Sequence, residues 1–123
     1  MGVPPLISIV DDDDGVRLAL RDLLASNDWR VADFASPQLF LADPASRASV
    51  CVISDLQMPD MDGLALHRAL RARGTAPPLL LITAFASPLV RTRAARQGVA
   101  AVLEKPFDPA LLFAALARAT GRG

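Results

Sequence analysis

Five carboxylates and one lysine carry most of the chemistry this chain can do. Asp11, Asp12, Asp13 and Asp14 close a first apolar run, Leu6-Ile-Ser-Ile-Val10, and Asp55 closes a second that starts at Val50. Lys105 follows a third, Val102-Leu103, and Pro106 comes directly after it. If those runs are neighbouring parallel strands, their carboxyl ends share one crevice, the place where open α/β sheets put their sites. Carboxylates crowded there repel; a pair about 4 Å apart costs roughly 4 kcal/mol at an effective dielectric near 20. A cation or a basic group must offset that cost.

A small, partly open set of hard oxygen ligands suits Mg²⁺, which keeps several waters and takes one or two carboxylates plus phosphate oxygens. Aspartate is also a nucleophile toward phosphoryl groups. A lysine ammonium neutralises a phosphoryl oxygen as a point charge. Thr83, at the end of a further apolar run, adds a hydroxyl. Together these groups point to phosphoryl transfer rather than proton or acyl transfer. No Ser-His-Asp set exists, and the single histidine, His67, is expected at the surface of a helix away from the crevice.

The elements that would position these groups can be read from hydrophobic periodicity. Short runs at 6–10, 30–34, 50–54, 79–83 and 100–103 read as strands. The first, third and fourth are nearly all apolar, as parallel strands covered on both faces are. Helical stretches lie between them. Ser36-Pro37, Ser87-Pro88 and Asp108-Pro109 each read as an N-cap followed by proline at the first helical position. Gly74 and Gly98 read as C-terminal caps. Leu64, Leu66, His67, Leu70 and Arg71 mark an amphipathic helix with leucines inward, and Leu111, Leu112 and Leu116 share one side of the last helix. Five strand–helix pairs, (βα)5, require right-handed crossovers and a parallel sheet. The expected fold is therefore α/β: a doubly wound, flavodoxin-like five-stranded parallel sheet of order 2-1-3-4-5. Its switch point lies beside strands 1 and 3, which end at Asp11/Asp12 and Asp55.

Composition bounds the alternatives. A chain of 123 residues with 52% hydrophobic content fits one globular domain, taken as residues 1–123. No apolar stretch approaches the ~20 residues of a membrane span, and no signal-type run opens the chain. The lone cysteine, Cys51, sits in an apolar run, fits a cytoplasmic setting and reads as a buried small hydrophobe. The net charge is zero, so nucleic-acid binding by the chain as a whole is not indicated. The distribution is uneven: 11 acidic and 4 basic residues up to Asp62, then 2 acidic and 9 basic. Arg68, Arg71, Arg73, Arg91, Arg93 and Arg96 read as solvated helix faces, with a docking surface as the sharper alternative.

Four stretches together resemble a response-regulator receiver domain of two-component signalling, over about Pro5 to Ala119. They are Ile9-Val10-Asp11-Asp12 with Arg17, Ser54 to Gly63 (Ser-Asp-Leu-Gln-Met-Pro-Asp-Met-Asp-Gly), Ile82-Thr83-Ala84, and Glu104-Lys105-Pro106-Phe107. The Met-Pro-Asp-Met-Asp-Gly loop and the Glu-Lys-Pro-Phe run are most similar to receivers that precede helix-turn-helix transcription domains, the FixJ/NarL type. The resemblance implies that Asp55 is the phosphoacceptor, fed by a sensor histidine kinase. It implies that Asp12, Asp55 and the backbone carbonyl of Gln57 hold Mg²⁺ directly, and Asp11 mainly through water. Lys105, placed by a cis peptide to Pro106, would pair with Asp55 or the phosphoryl group. Thr83 would be the switch hydroxyl, and small Ala84 would keep the site accessible. Asp13 and Asp14 are read instead as acids favouring a helix N-terminus.

One position departs from the family. Three residues before the lysine, where an aromatic partner of the switch hydroxyl is usual, stands Val102. Phe85, two residues after Thr83, is large and apolar where many relatives are polar. The reading is thus a phosphoacceptor, not a turnover enzyme, whose phosphorylation switches the region from strand 4 to the last helix and controls an output such as transcription. A homodimer on phosphorylation and a DNA-binding domain outside this chain go with that reading. Alternatives are a stand-alone receiver acting through protein contacts, with or without phosphate, and a haloacid-dehalogenase-type phosphatase using Asp12-Asp13-Asp14-Gly15-Val16 with Asp12 as nucleophile.

Overall fold

The computed structural model describes residues 4–74 and 76–121. Five strands, β1 (Leu6–Val10), β2 (Arg30–Phe34), β3 (Cys51–Asp55), β4 (Leu79–Thr83) and β5 (Ala101–Glu104), form one parallel sheet in the order β2-β1-β3-β4-β5. Six helices accompany them: α1 (Asp14–Ala25), α2 (Pro37–Ala42), α3 (Ala45–Ala48), α4 (Gly63–Ala72), α5 (Pro88–Gln97) and α6 (Pro109–Thr120). The expected strand order is the observed one, and each strand lies within one residue of its expected bounds.

Side chains alternate across a strand, so each strand feeds two layers. Ile7, Ile9, Cys51, Ile53, Leu80 and Ile82 face α1 and α6, where Leu20, Leu24, Leu112 and Leu116 close the layer. Val10, Val52, Leu79 and Leu81 face the other way, onto Phe40, Leu66, Leu70 and Ala94. Every residue of β3 and β4 is buried. Each such aliphatic side chain contributes about 1.5–3 kcal/mol by leaving water.

Local signals start and stop the helices as read. Ser36, Ser87 and Asp108 are N-caps, each followed by proline. Asp13 caps α1, its carboxylate accepting from the Val16 N–H at 3.0 Å, and Asp62 caps α4 through the Ala65 N–H at 2.8 Å. Gly98 ends α5 with φ of 86°, the left-handed conformation glycine adopts without strain.

Three expectations are corrected. The connection from β2 to β3 holds two short helices rather than one. Pro44 has no N–H to continue α2, and Asp43 before it is extended, with ψ of 145°. Leu111 does not join Leu112 and Leu116 inside; it is 57% exposed, because one residue is a turn of about 100° round the helix. His67 is not on the surface: it is 4% exposed, beneath α5.

Candidate functional site

The ends of β1 and β3 bring Asp11, Asp12 and Asp55 together, each offering a carboxylate oxygen within 4.8 Å of the others. Asp11 is fully buried, Asp55 is 8% exposed, and Asp12 stands at the rim. Lys105 enters from the end of β5. Its Nζ lies 3.4 Å from Asp11 Oδ2 and 3.5 Å from Asp55 Oδ1, so one ammonium faces both buried acids. The Lys105–Pro106 peptide is cis.

The neighbourhood holds these groups in place. The Asp13 N–H donates to Asp11 Oδ1 at 2.9 Å, and Arg17 Nη1 donates to the Asp11 carbonyl at 2.6 Å. Arg17 is itself held by Asp33 and by Asp14. Asp14 therefore serves α1 from an exposed position and lies outside the cluster of Asp11, Asp12 and Asp55. At Gly63, the first residue of α4, an added Cβ would lie 2.5 Å from the Asp55 carbonyl oxygen and 2.6 Å from Leu81 Cδ1. Only glycine lets α4 approach the end of β3 this closely.

Electrostatics follow from the packing. Burial raises the Asp55 carboxyl above its ordinary value; the Asp11 charge pushes the same way, Lys105 opposes both, and Asp12 adds to the rise. An ionised Asp55 is thus the costly state, and positive charge entering the crevice relieves it. The donor set of three clustered carboxylates with one lysine fits a hard divalent ion such as Mg²⁺. Gln57 follows two residues after Asp55 with its side chain exposed.

Thr83 is buried at the end of β4, but its hydroxyl bonds locally: it donates to the Phe85 carbonyl and accepts from the Phe85 N–H, both at 3.3 Å. Phe85 itself is 70% exposed, and Val102 packs partly buried against the α4–α5 layer. Sequence reasoning passed over Glu104, whose Oε2 accepts from the Ala86 N–H at 2.7 Å and ties the β4–α5 loop to β5. Its place beside Lys105 was the available signal. An apolar groove of about 330 Å³ runs beside Lys105, lined by Val16, Leu20, Leu23, Pro106 and Phe107.

A doubly wound sheet of order 2-1-3-4-5, with buried acids and a lysine at its switch point, defines a CheY-like α/β domain. The chain belongs to the response regulator receiver domain family, whose pattern it matches over residues 7–117. It is 34% identical over 116 residues to the transcriptional regulatory protein FixJ of Azorhizobium caulinodans, covering 94% of this chain and 55% of that protein. It is 34% identical to the C4-dicarboxylate transport transcriptional regulatory protein DctD of Rhizobium meliloti, covering 87% of this chain and 23% of that one. The chain thus spans about half the length of FixJ and less of DctD. Among solved structures, the crystal structure of FixJ-N superposes with a TM-score of 0.86 at 31% identity, covering 100% of this chain and 98% of that one. The chemotaxis protein CheY4 of Vibrio cholerae does so with a TM-score of 0.86 at 27% identity, covering 94% and 98%. The chain is a receiver domain of the two-component response regulators. No helix among the described residues is long and apolar enough to cross a membrane.

Proposed function

We propose that this receiver domain accepts a phosphoryl group on Asp55, in a Mg²⁺-dependent step, from a phosphohistidine of a sensor kinase. The observation that carries the reading is the single crevice in which Asp11, Asp12 and Asp55 cluster within 4.8 Å while Lys105 reaches both buried acids. An Asp55 carboxylate oxygen forms the new P–O bond as the donor P–N bond breaks, and the imidazole leaves with the electron pair. Asp12, Asp55 and the Gln57 carbonyl would hold the metal, with Asp11 behind them; the ion would supply charge neutralisation at the phosphoryl oxygens. Lys105 exchanges its place beside the carboxylates for a phosphoryl oxygen. The domain turns over no substrate; its product is its own phosphorylated state.

Signalling starts at Thr83. Drawing its hydroxyl toward a phosphoryl oxygen breaks its two bonds to Phe85, each worth about 1 kcal/mol. The exposed Phe85 segment then moves, in place of an aromatic at Val102. Driving such a surface from mostly off to mostly on takes about 5.5 kcal/mol of differential interaction. Residues 1–123 act as one cytoplasmic receiver unit that dimerises on phosphorylation and controls transcription through a DNA-binding domain outside them. The resemblance to FixJ and DctD, both transcriptional regulators by name, supports that output.

Acetyl phosphate with Mg²⁺ tests the proposal. Intact-mass analysis is expected to show gain of one phosphoryl group, lost with EDTA and in Asp55→Asn. Labelling that survives Asp55→Asn, or free phosphate released with turnover through Asp12, overturns it.

A further inference from the structure

The basic half of the chain builds a second concavity, remote in chemistry from the acidic crevice. Between α4 and α5 lies a hollow of about 370 Å³, lined by Asp62, Leu64, Arg68, Arg93, Arg96 and Gln97. None of its three arginines makes an ion pair among the described residues, although the ion pairs of Arg17, Arg21 and Lys105 are all formed. The hollow is also ordered. Gln97 donates through Nε2 to the Leu64 carbonyl at 2.7 Å and accepts from Arg68 Nη1 at 3.0 Å, fixing that guanidinium at the mouth. Arg93 and Arg96 stand one turn apart on α5, where residues three apart are neighbours. The only acid in the lining, Asp62, is engaged as the cap of α4.

Guanidinium forks match phosphoryl oxygens bidentately, and three of them line this hollow. The volume is that of a small-molecule site rather than a trough for a helix 10–12 Å across. We infer that the α4–α5 hollow binds a small phosphate-bearing anion, of the pyrophosphate or nucleotide class, through Arg68, Arg93 and Arg96. The positive field of this region already reaches inward: Arg71 and Arg68 add to burial in lowering the titration of His67. Because α4 begins at Gly63, packed against Asp55, an occupant here sits on the helix that abuts the acceptor. The inference does not rest on phosphorylation.

Inorganic pyrophosphate in EDTA is the probe, since without a divalent ion the acidic crevice repels it. Titration followed by ¹H–¹⁵N spectra is expected to show saturable shifts in α4 and α5. Arg93→Gln or Arg96→Gln should weaken binding about tenfold, the loss of one charge-assisted hydrogen bond, with the fold and Asp55 phosphorylation intact. Absence of saturable binding, shifts unaltered by both substitutions, or binding of a polyglutamate peptide where pyrophosphate fails would each overturn the inference.

Discussion

The acidic crevice and the basic hollow are both clusters of like charge, yet the chain handles them differently. The carboxylates of Asp11 and Asp55 are buried, and a lysine is placed between them. The arginines of α4 and α5 remain exposed and take no carboxylate partner among the described residues. Burial explains the contrast. Taking charge out of water costs several kcal/mol per ion, so the crevice needs a built-in cation and stays strained with only one. Exposed guanidinium groups are screened by solvent and salt and can wait for a ligand. The crevice thus stores unfavourable energy that a bound cation would relieve, whereas the hollow stores almost none.

Gly63 joins the two regions, and altering it gives the largest expected effect. Gly63→Val drives a side chain into the Asp55 backbone and Leu81; a loss of about 3 kcal/mol by urea denaturation is expected. Phosphoryl acceptance should fall with it. Lys105→Ala leaves two buried acids with no ammonium. It should lose about 2 kcal/mol without Mg²⁺ and recover much of that with Mg²⁺ present. Equal loss with and without the ion would break the contrast drawn here.

Asp55→Asn acts in the opposite direction. Folding raises the Asp55 carboxyl's titration, so the folded state holds more protons than the unfolded chain between their two midpoints. Stability then falls as pH rises through that window, from near the unfolded value of about 4 upward. The substitution should stabilise the metal-free protein at pH 7 and remove that slope. His67 carries the reverse sign. Its titration is lowered, chiefly by burial, so stability is full above the unfolded value of about 6.5 and is lost as pH falls below it. Filling the α4–α5 hollow with pyrophosphate should raise the His67 midpoint, read by its imidazole proton shifts. Smallest of all, Arg93→Gln and Arg96→Gln should change stability by less than about 0.5 kcal/mol.

The sheet and the crevice were legible because each rests on local signals. Apolar runs of five residues, prolines after N-caps and glycines at helix ends specify the elements, and strand order then carries Asp11, Asp12, Asp55 and Lys105 to one place. What sequence could not show depends on contacts distant along the chain. His67 looked exposed because a lone polar residue on an amphipathic helix usually is. Its burial comes from α5, whose Gln97 Nε2 lies 2.9 Å from His67 Nδ1. The Thr83–Phe85 bonds, the Glu104 tie to Ala86 and the gathering of Arg68 with Arg93 and Arg96 likewise need the tertiary packing. Cys51 was readable as inert; burial pushes its thiol up to about 12.

The account stands most directly on Mg²⁺ and thermal unfolding of the unphosphorylated protein. If the ends of β1 and β3 form one strained divalent site, Tm rises saturably with Mg²⁺, reaching about 2.7 kcal/mol of stabilisation at a hundredfold excess over Kd. The rise should be sharply reduced in Asp12→Asn and in Asp55→Asn. A Tm indifferent to Mg²⁺, or an equal rise in both variants, would contradict it.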